Sequence, residues 1–79
     1  MVARLPSLNG LRAFEAAARH LSFTLAAEEL NVTQTAISHQ IRRLEEELGL
    51  KLFIRQSRSL ALTPQATEYL PGIRAAFQD

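Results

Sequence analysis

Between residues 33 and 49 the sequence carries the periodicity of an amphipathic helix. Four apolar residues recur at intervals of four, three and four positions, which would place them on one narrow stripe of a helix. These residues are Ile37, Ile41, Leu44 and Leu48. Thr33 stands where a helix cap is needed, and Gly49 stands where glycine closes a helix. The pattern predicts a helix over about 33–48, with one face buried and one polar face free.

A shorter helix is predicted just before this one, from Thr24 to Leu30, with Ser22 as its N-cap. Residues 31–33, between the two helices, predict a tight turn because Asn31 tolerates the left-handed backbone conformation. Two helices joined by a turn of about three residues, of which the second is longer and polar on its free face, form a helix-turn-helix.

A first helix is predicted ahead of this motif. Its N-cap is Ser7 or Asn9, and its apolar residues follow helical spacing. They are Leu8, Leu11, Phe14, Ala18 and Leu21. Four alanines between residues 13 and 18 make this helix thin, so that neighbouring helices can pack close to it.

A β-hairpin is predicted after the motif. Two short β-like segments, Lys51–Ile54 and Leu60–Leu62, are separated by polar and basic residues at 55–59. A basic hairpin in this place is the wing of a winged helix-turn-helix. Thr63 and Pro64 then predict the start of a last helix, because proline fits the first helical position.

The last helix repeats the spacing of four, three and four in its apolar residues. They are Ala66, Leu70, Ile73 and Phe77. Pro71 removes one backbone hydrogen bond, so a bend is expected between Thr67 and Pro71. The chain stops at Asp79 with the stripe still running, which predicts a fragment cut within or just after this helix. The predicted fold class is mainly α: a winged helix-turn-helix of three helices and a short β-hairpin over residues 1–63, followed by a C-terminal helix over 64–79.

Composition excludes several classes of protein. A chain of 79 residues, 47% hydrophobic and 22% charged, makes one small globular domain. The absence of Cys excludes a disulfide framework, a redox centre and a thiolate zinc site. No apolar run approaches the roughly 18 residues of a membrane helix and no signal peptide is visible, so we expect a cytoplasmic protein without a membrane partner. His20 and His39 are far apart and no glycine-rich phosphate loop occurs, so neither a metal, a cofactor nor enzymatic activity is expected.

The distribution of charge is more informative than the net charge of +1. Residues 34–58 carry five basic residues against three glutamates. The basic residues are Arg42, Arg43, Lys51, Arg55 and Arg58. The free face of the helix over 33–48 carries Gln34, Thr35, Ser38, His39 and Arg42. Gln can bond adenine with both ends of its amide, and Ser or Thr can bond bases or phosphates. These residues predict double-stranded DNA as the partner, with this helix in a major groove about 12 Å wide.

Two other interpretations apply to the same residues. Glu45–Glu47 are expected to form a solvated face, with Arg42 and Arg43 pairing with the glutamates four residues further on. A DNA contact by Arg43 is therefore left open. The chain could also be a protein-interaction module on the same fold. That class predicts an apolar patch on the free face of the helix over 33–48, where this chain has polar residues.

Residues along the whole chain match one family pattern. The matching residues are Phe23, Ala26, Ala27, Leu30, Gln34, Ser38, Ile41, Leu44, Glu45, Leu48, Gly49, Leu52, Phe53, Arg55, Arg58, Leu62 and Thr63. In this register the sequence resembles the N-terminal DNA-binding domain of LysR-type transcriptional regulators over nearly all of its length. The opening residues 5–9 and the run 11–19 resemble the subgroup that regulates glycine cleavage, β-lactamase and tryptophan synthase genes.

The resemblance implies site-specific binding to an inverted-repeat operator of the T-N11-A type. It implies base contacts by Gln34, Thr35, Ser38 and His39, phosphate contacts by Thr33 and Arg42, and wing contacts by Arg55, Ser57 and Arg58. The family often has Arg or Gln where His39 stands, so contact of His39 with a base or with a phosphate stays open.

The resemblance also implies a homodimer. The helix from Pro64 corresponds to the family's linker helix, which pairs antiparallel with its twin. The residues implied in that interface are Ala66, Tyr69, Leu70, Ile73 and Phe77. Gln65-Ala66 stands where the family usually has Ala-Gly, which predicts a stiffer start of this helix. An effector-binding domain of about 200 residues is expected in the full-length protein. The resemblance implies that the full-length protein is a tetramer, and it makes RNA polymerase a candidate partner.

Overall fold

The computed structural model describes residues 8–57 and 59–78, and the side chains of all of these except Phe77 and Gln78. Three helices are followed by a two-stranded antiparallel hairpin and a fourth helix. The elements are α1 (Leu8–His20), α2 (Phe23–Leu30), α3 (Gln34–Leu48), β1 (Phe53–Arg55), β2 (Leu60–Leu62) and α4 (Pro64–Gln78). The predicted winged helix-turn-helix is confirmed. None of the described helices has the length and apolar character needed to cross a membrane.

The ends of the helices follow from single residues. The Ser22 hydroxyl accepts a hydrogen bond from the Leu25 N–H at 3.0 Å and caps α2, and Thr33 caps α3 in the same way. Asn31 and Gly49 close α2 and α3 in the left-handed conformation, with φ of 63° and 72°. These predictions are confirmed. Asn9 lies inside α1 and is therefore not its cap, while Ser7 lies outside the described residues.

The core lies where α1, α2, α3 and the last helix meet. Its largest fully buried side chains are Phe14, Ile37, Leu44 and Leu52. The face of α1 that packs against the other helices is made mostly of alanines, at positions 13, 16, 17 and 18. Small side chains let the axes of neighbouring helices approach α1 closely. The large side chains of those elements then pack against the alanines of α1 and fill the space.

Leu21 does not extend the apolar stripe of α1, contrary to the prediction. Its φ is 50°, which turns the chain out of α1, and 49% of its surface is exposed. Leu8, at the other end of the predicted stripe, is exposed as well. Only the middle of α1 therefore contributes to the core.

The hairpin is shorter at its start than the sequence predicts. Phe53 pairs with Leu62 and Arg55 with Leu60, so β1 begins two residues after Lys51. The Leu52 N–H instead donates to the carboxylate of Glu45 on α3 at 2.8 Å. This bond fastens the base of the wing to α3.

Thr63 joins the wing to α4. Its hydroxyl donates to the Lys51 carbonyl at 2.7 Å and accepts from the Ala66 N–H at 3.1 Å, and the side chain is buried. One residue thus caps α4 and holds it to the segment between α3 and β1. Pro71 lies inside α4, which is one continuous helix. The bend near Pro71 stays a prediction.

Three of the residues implied in a dimer interface are buried by the chain's own core. Ala66, Leu70 and Ile73 are 0%, 6% and 8% exposed and pack in the same cluster as the residues of α1 and α3. Little of their apolar surface is exposed in the single chain, and their part in a dimer interface stays a prediction. Tyr69 remains 39% exposed. The side chain of Phe77 lies outside the described ones.

Charged residues of α1 and α2 form an ion-pair cluster. The Arg19 guanidinium bonds both carboxylate oxygens of Glu15 and both of Glu29, with distances of 2.8–2.9 Å. The imidazole of His20 lies 2.7 Å from Glu29. Hydrogen bonds from Arg19 and then His20 lower the pKa of Glu29 to about 2, and the hydrogen bond from Arg19 lowers the pKa of Glu15. The cluster ties α1 to α2 on the surface.

We expect Gly49→Ala and Gly72→Ala to change stability in opposite directions. Alanine at Gly49 meets no neighbouring atom but must adopt a φ of 72°, which costs about 1 kcal/mol. Gly72 is a helical residue of α4 with open space around it, so alanine there stabilises by roughly 0.5–1 kcal/mol. Urea unfolding of both variants measures the two signs. An unchanged midpoint for Gly49→Ala would refute the left-handed conformation.

Glu29→Gln should remove a part of the stability that depends on pH. Because the pKa of Glu29 is about 2 when folded and 4.5 ordinarily, its contribution is complete above about pH 4.5 and is lost as pH falls toward 2. The pair is exposed, so the variant loses at most about 1 kcal/mol at neutral pH and nothing near pH 2. Thermal unfolding across this range tests it, with Glu28→Gln as the neighbouring control. Parallel profiles for Glu29→Gln and the native chain would contradict the assignment.

Candidate nucleic-acid interface

The free side of α3 is polar along its N-terminal half. Thr33, Gln34, Thr35, His39 and Arg42 are exposed there, and Ser38 is half-buried. The opposite side buries Ile37, Ile41 and Leu44 in the core. The first turn of a helix leaves backbone N–H groups without intrahelical partners, which adds donors to this end. The structure therefore brings the sequence-predicted residues of this helix onto one exposed surface.

Arg55 joins the wing to that surface. Its guanidinium donates to the Ser38 hydroxyl at 3.3 Å and lies 4.8 Å from the centre of the Phe23 ring. A guanidinium over an aromatic face is attracted by the electrons of the ring, more strongly as water is removed. The contact holds Arg55 beside α3, so α3 and the wing form one continuous surface.

A groove between α3 and the wing carries three basic residues against one glutamate, Glu45. Arg42, Lys51 and Arg55 all line it. Lys51 is highly exposed and lies 4.0 Å from Glu45, and in the described part of the chain Arg42 and Arg55 have no carboxylate within 4.0 Å. The groove is thus basic, as a surface that contacts phosphates must be.

Glu45 is not part of a solvated acidic face, contrary to the prediction. Its carboxylate is largely buried and accepts the hydrogen bond from the Leu52 N–H. Glu46 and Glu47 are exposed as predicted. The predicted pairs of Arg42 and Arg43 with these glutamates do not form among the described residues, where neither arginine has an ion pair within 4.0 Å.

Gln34 has a partner on α2. The Thr24 hydroxyl donates to its Oε1 at 3.1 Å. Both residues are exposed, and the bond joins the two helices of the helix-turn-helix at the surface. It connects residues ten positions apart, so helical periodicity carries no signal for it.

The tip of the wing closes on itself. The Gln56 N–H donates to the Ser59 carbonyl at 2.9 Å, and the Ser59 hydroxyl donates to the Gln56 side chain at 2.8 Å. Ser57 is exposed between them, without a hydrogen bond to α3. Arg58 lies outside the described residues.

Four contributors to this surface are not among the residues predicted to contact DNA. Phe23 supports Arg55, Thr24 bonds Gln34, Glu45 holds the base of the wing, and Lys51 adds a cation to the groove. Phe23 and Glu45 belong to the family pattern, which is the only signal that marked them. The four roles depend on contacts between different elements.

The exposed large apolar residues do not lie on the free face of α3. In the described part of the chain they are Leu8, Leu21, Leu25, Val32, Ile54 and Tyr69. The apolar patch that a protein-interaction module would need on that face is therefore not among the described residues.

Removing the carboxylate of Glu45 should loosen the wing. We expect Glu45→Ala to lower stability by about 1–3 kcal/mol, because it leaves the Leu52 N–H without its charged acceptor. Hydrogen exchange of the Leu52 amide should accelerate more than that of amides within α1. Glu46→Ala, on the exposed side of the same helix, is the matched control and should leave that exchange unchanged. Equal protection in both variants would show that the bond does not fasten the wing.

The chain was compared with known proteins. The pattern of the family described as bacterial regulatory helix-turn-helix protein, lysR family, matches residues 8–67. The glycine cleavage system transcriptional activator of Escherichia coli strain K12 is 62% identical over 77 residues, which are 98% of this chain and 25% of that protein. The HTH-type transcriptional activator AmpR of Providencia stuartii is 64% identical over 74 residues, 94% of this chain and 25% of that protein.

A solved structure resembles the chain in three dimensions. The BenM DNA-binding domain in complex with benA site 1 DNA superposes with a TM-score of 0.83 at 38% identity, covering 89% of this chain and 79% of that one. The chain spans about a quarter of the length of the curated relatives that it matches. On the pattern over residues 8–67 and on these identities, the chain belongs to the LysR family of bacterial regulatory helix-turn-helix proteins.

Proposed function

We propose that this chain is the DNA-binding domain of a transcriptional regulator and binds double-stranded DNA site-specifically, without enzymatic activity. The observation that carries the proposal is the contact of Arg55 with Ser38 at 3.3 Å, which makes the wing and the polar half of α3 one surface. The names of the relatives, all transcriptional activators, and the DNA complex of the BenM domain support it.

The polar half of α3 reads the bases. In the proposed complex Gln34, Thr35, Ser38 and His39 face base edges in the major groove, which accepts one helix. The exposed Glu46 and Glu47 lie further along the same helix and would repel phosphates. Only the N-terminal half of α3 therefore enters the groove, as is usual for a recognition helix.

The basic residues attach the domain to the backbone of the DNA. Arg42 and Arg55, without carboxylate partners in the described part of the chain, neutralise phosphates, and Lys51 joins them from the same groove. Thr33, at the start of α3, and Ser57 and Arg58, at the tip of the wing, are proposed as further backbone contacts. These contacts fix the register of α3 and carry little sequence information.

A dimer is proposed through the outward side of α4. Since Ala66, Leu70 and Ile73 are used in the chain's own core, the surface left for a partner includes the half-exposed Tyr69 and, as a prediction, Phe77. A symmetric dimer matches an inverted-repeat operator, for which the T-N11-A core is the proposed form. In the full-length regulator an effector-binding domain, tetramer formation and contact with RNA polymerase are proposed on the same grounds.

Salt-dependent DNA binding tests the proposal. We expect fluorescence anisotropy to show tighter binding to an A/T-rich inverted repeat with the T-N11-A core than to a random duplex. Affinity for both should fall steeply with salt, with a slope of about −0.9 for each phosphate neutralised. Arg42→Ala should reduce that slope by about one on both duplexes. Gln34→Ala should leave the slope unchanged and reduce only the preference for the repeat.

The outcomes separate the parts of the proposal. No binding to either duplex at low salt by a folded chain would refute DNA binding. Equal affinity for the two duplexes would refute this operator form. A complex with a single chain on each inverted-repeat duplex, measured by sedimentation, would refute the dimer.

A further inference from the structure

We propose that Thr24 is a positioning residue for DNA recognition, which holds the amide of Gln34 in place and so strengthens the preference for the base that Gln34 reads. The inference rests on the proposed DNA-binding function. Its basis is the hydrogen bond of 3.1 Å from the Thr24 hydroxyl to the Gln34 Oε1. Thr24 lies in the first turn of α2, and Gln34 is the first residue of α3.

The bond fixes the position of the amide. A glutamine side chain presents an acceptor oxygen at one end and two N–H donors at the other. In the structure the Thr24 hydroxyl donates to Oε1, and after half a turn of the amide the same hydroxyl could accept from Nε2. In either orientation an N–H donor and an oxygen lone pair of Gln34 stay available to a base.

The first turn of α2 is firmly held. Ser22 caps it through the Leu25 N–H, and Phe23 is buried with its ring beneath the Arg55 guanidinium. Thr24 follows directly on these two residues. A side chain on a fixed helical turn positions its partner more accurately than one on a loop. The Thr24 hydroxyl is thus a fixed reference point for Gln34.

The held position has a consequence for base preference. The N–H donor of the amide suits a base that offers an acceptor in the major groove, such as the N7 of adenine. The amide oxygen keeps a lone pair, which can accept from the N6 of adenine. Cytosine presents only its N4 donor, so it can bond the oxygen of the amide but not its N–H. By holding the amide where both groups can reach adenine, Thr24 favours adenine over cytosine at the base that Gln34 contacts.

The experiment selects sequences from duplexes with a randomised centre, using the native chain and the variants Thr24→Val, Thr24→Ser and Gln34→Ala. Sequencing of the bound pool gives the preference at each base pair. We expect Gln34→Ala to abolish the preference at one base pair in each half-site. Valine is similar in size to threonine but has no hydrogen-bond donor. Thr24→Val should therefore weaken the preference for adenine over cytosine at that base pair by about three- to tenfold. Thr24→Ser retains the donor and should retain the preference.

A double variant tests whether the two residues act together. Combined with Gln34→Ala, Thr24→Val should have no further effect at that base pair. Because Thr24 is exposed, its variants should unfold at the same temperature as the native chain, which is measured alongside.

Four results would overturn the inference. Thr24→Val could leave the preference at the Gln34 base pair unchanged. Thr24→Val could weaken the base preference equally at every position. It could also have the same effect with and without Gln34. Either result would show that Thr24 has a structural role only. Gln34→Ala could leave every base preference as it was. A folded native chain that enriches no sequence at all would refute the proposed function itself, and this inference with it.

Discussion

A line of aromatic contacts runs from the centre of the core to the binding surface. Phe14, fully buried in α1, packs edge-on against Phe53 of the wing with ring centres 5.7 Å apart. Phe53 packs in the same way against Phe23, at 5.4 Å, and the Phe23 ring carries Arg55. Removing such a buried ring costs about 3–5 kcal/mol, against a total stability of roughly 4–12 kcal/mol for a domain of this size. The position of Arg55 beside Ser38 therefore depends on the core itself.

The separation of charges explains how a nearly neutral chain presents a basic surface. Arg19 is bound by two glutamates on α1 and α2, and the hydrogen bonds of that cluster keep both carboxylates ionised well below neutral pH. Glu45 is occupied by the Leu52 N–H at the base of the wing. Glu45 also lies 4.0 Å from Lys51 in the groove, where it stands against the three cations Arg42, Lys51 and Arg55. Net charge, a sum over the whole chain, does not report this arrangement.

The local features of the fold could be predicted from the sequence, and the contacts between elements could not. The caps at Ser22 and Thr33 and the closing residue Gly49 act within four or five residues, where spacing is informative. Leu21 fits the helical spacing equally well, but its positive φ ends α1 and leaves it exposed. Periodicity shows that a face is apolar without showing what covers it.

The same limit applies to the candidate site. The predicted face of α3 is present, because a helix with a buried stripe has its polar residues on the other side by geometry alone. The supports of that face come from α2 and the wing, and a contact such as that of Thr24 with Gln34 depends on how two helices cross. The residues proposed to read DNA are therefore easier to predict from sequence than the residues that hold them in place.

The attachment of α4 couples the proposed dimer to the proposed DNA surface. Ala66, Leu70 and Ile73 bury the inner side of α4 in the core of the winged domain. Thr63 bonds both the first turn of α4 and Lys51, in the segment that leads into the wing. A helix held on two sides cannot swing freely when a second copy packs on its outer side. The separation and orientation of two recognition helices in such a dimer would then be set by the packing within each chain. On this argument, half-site spacing in the operator is determined by the core of the monomer as much as by the dimer contact.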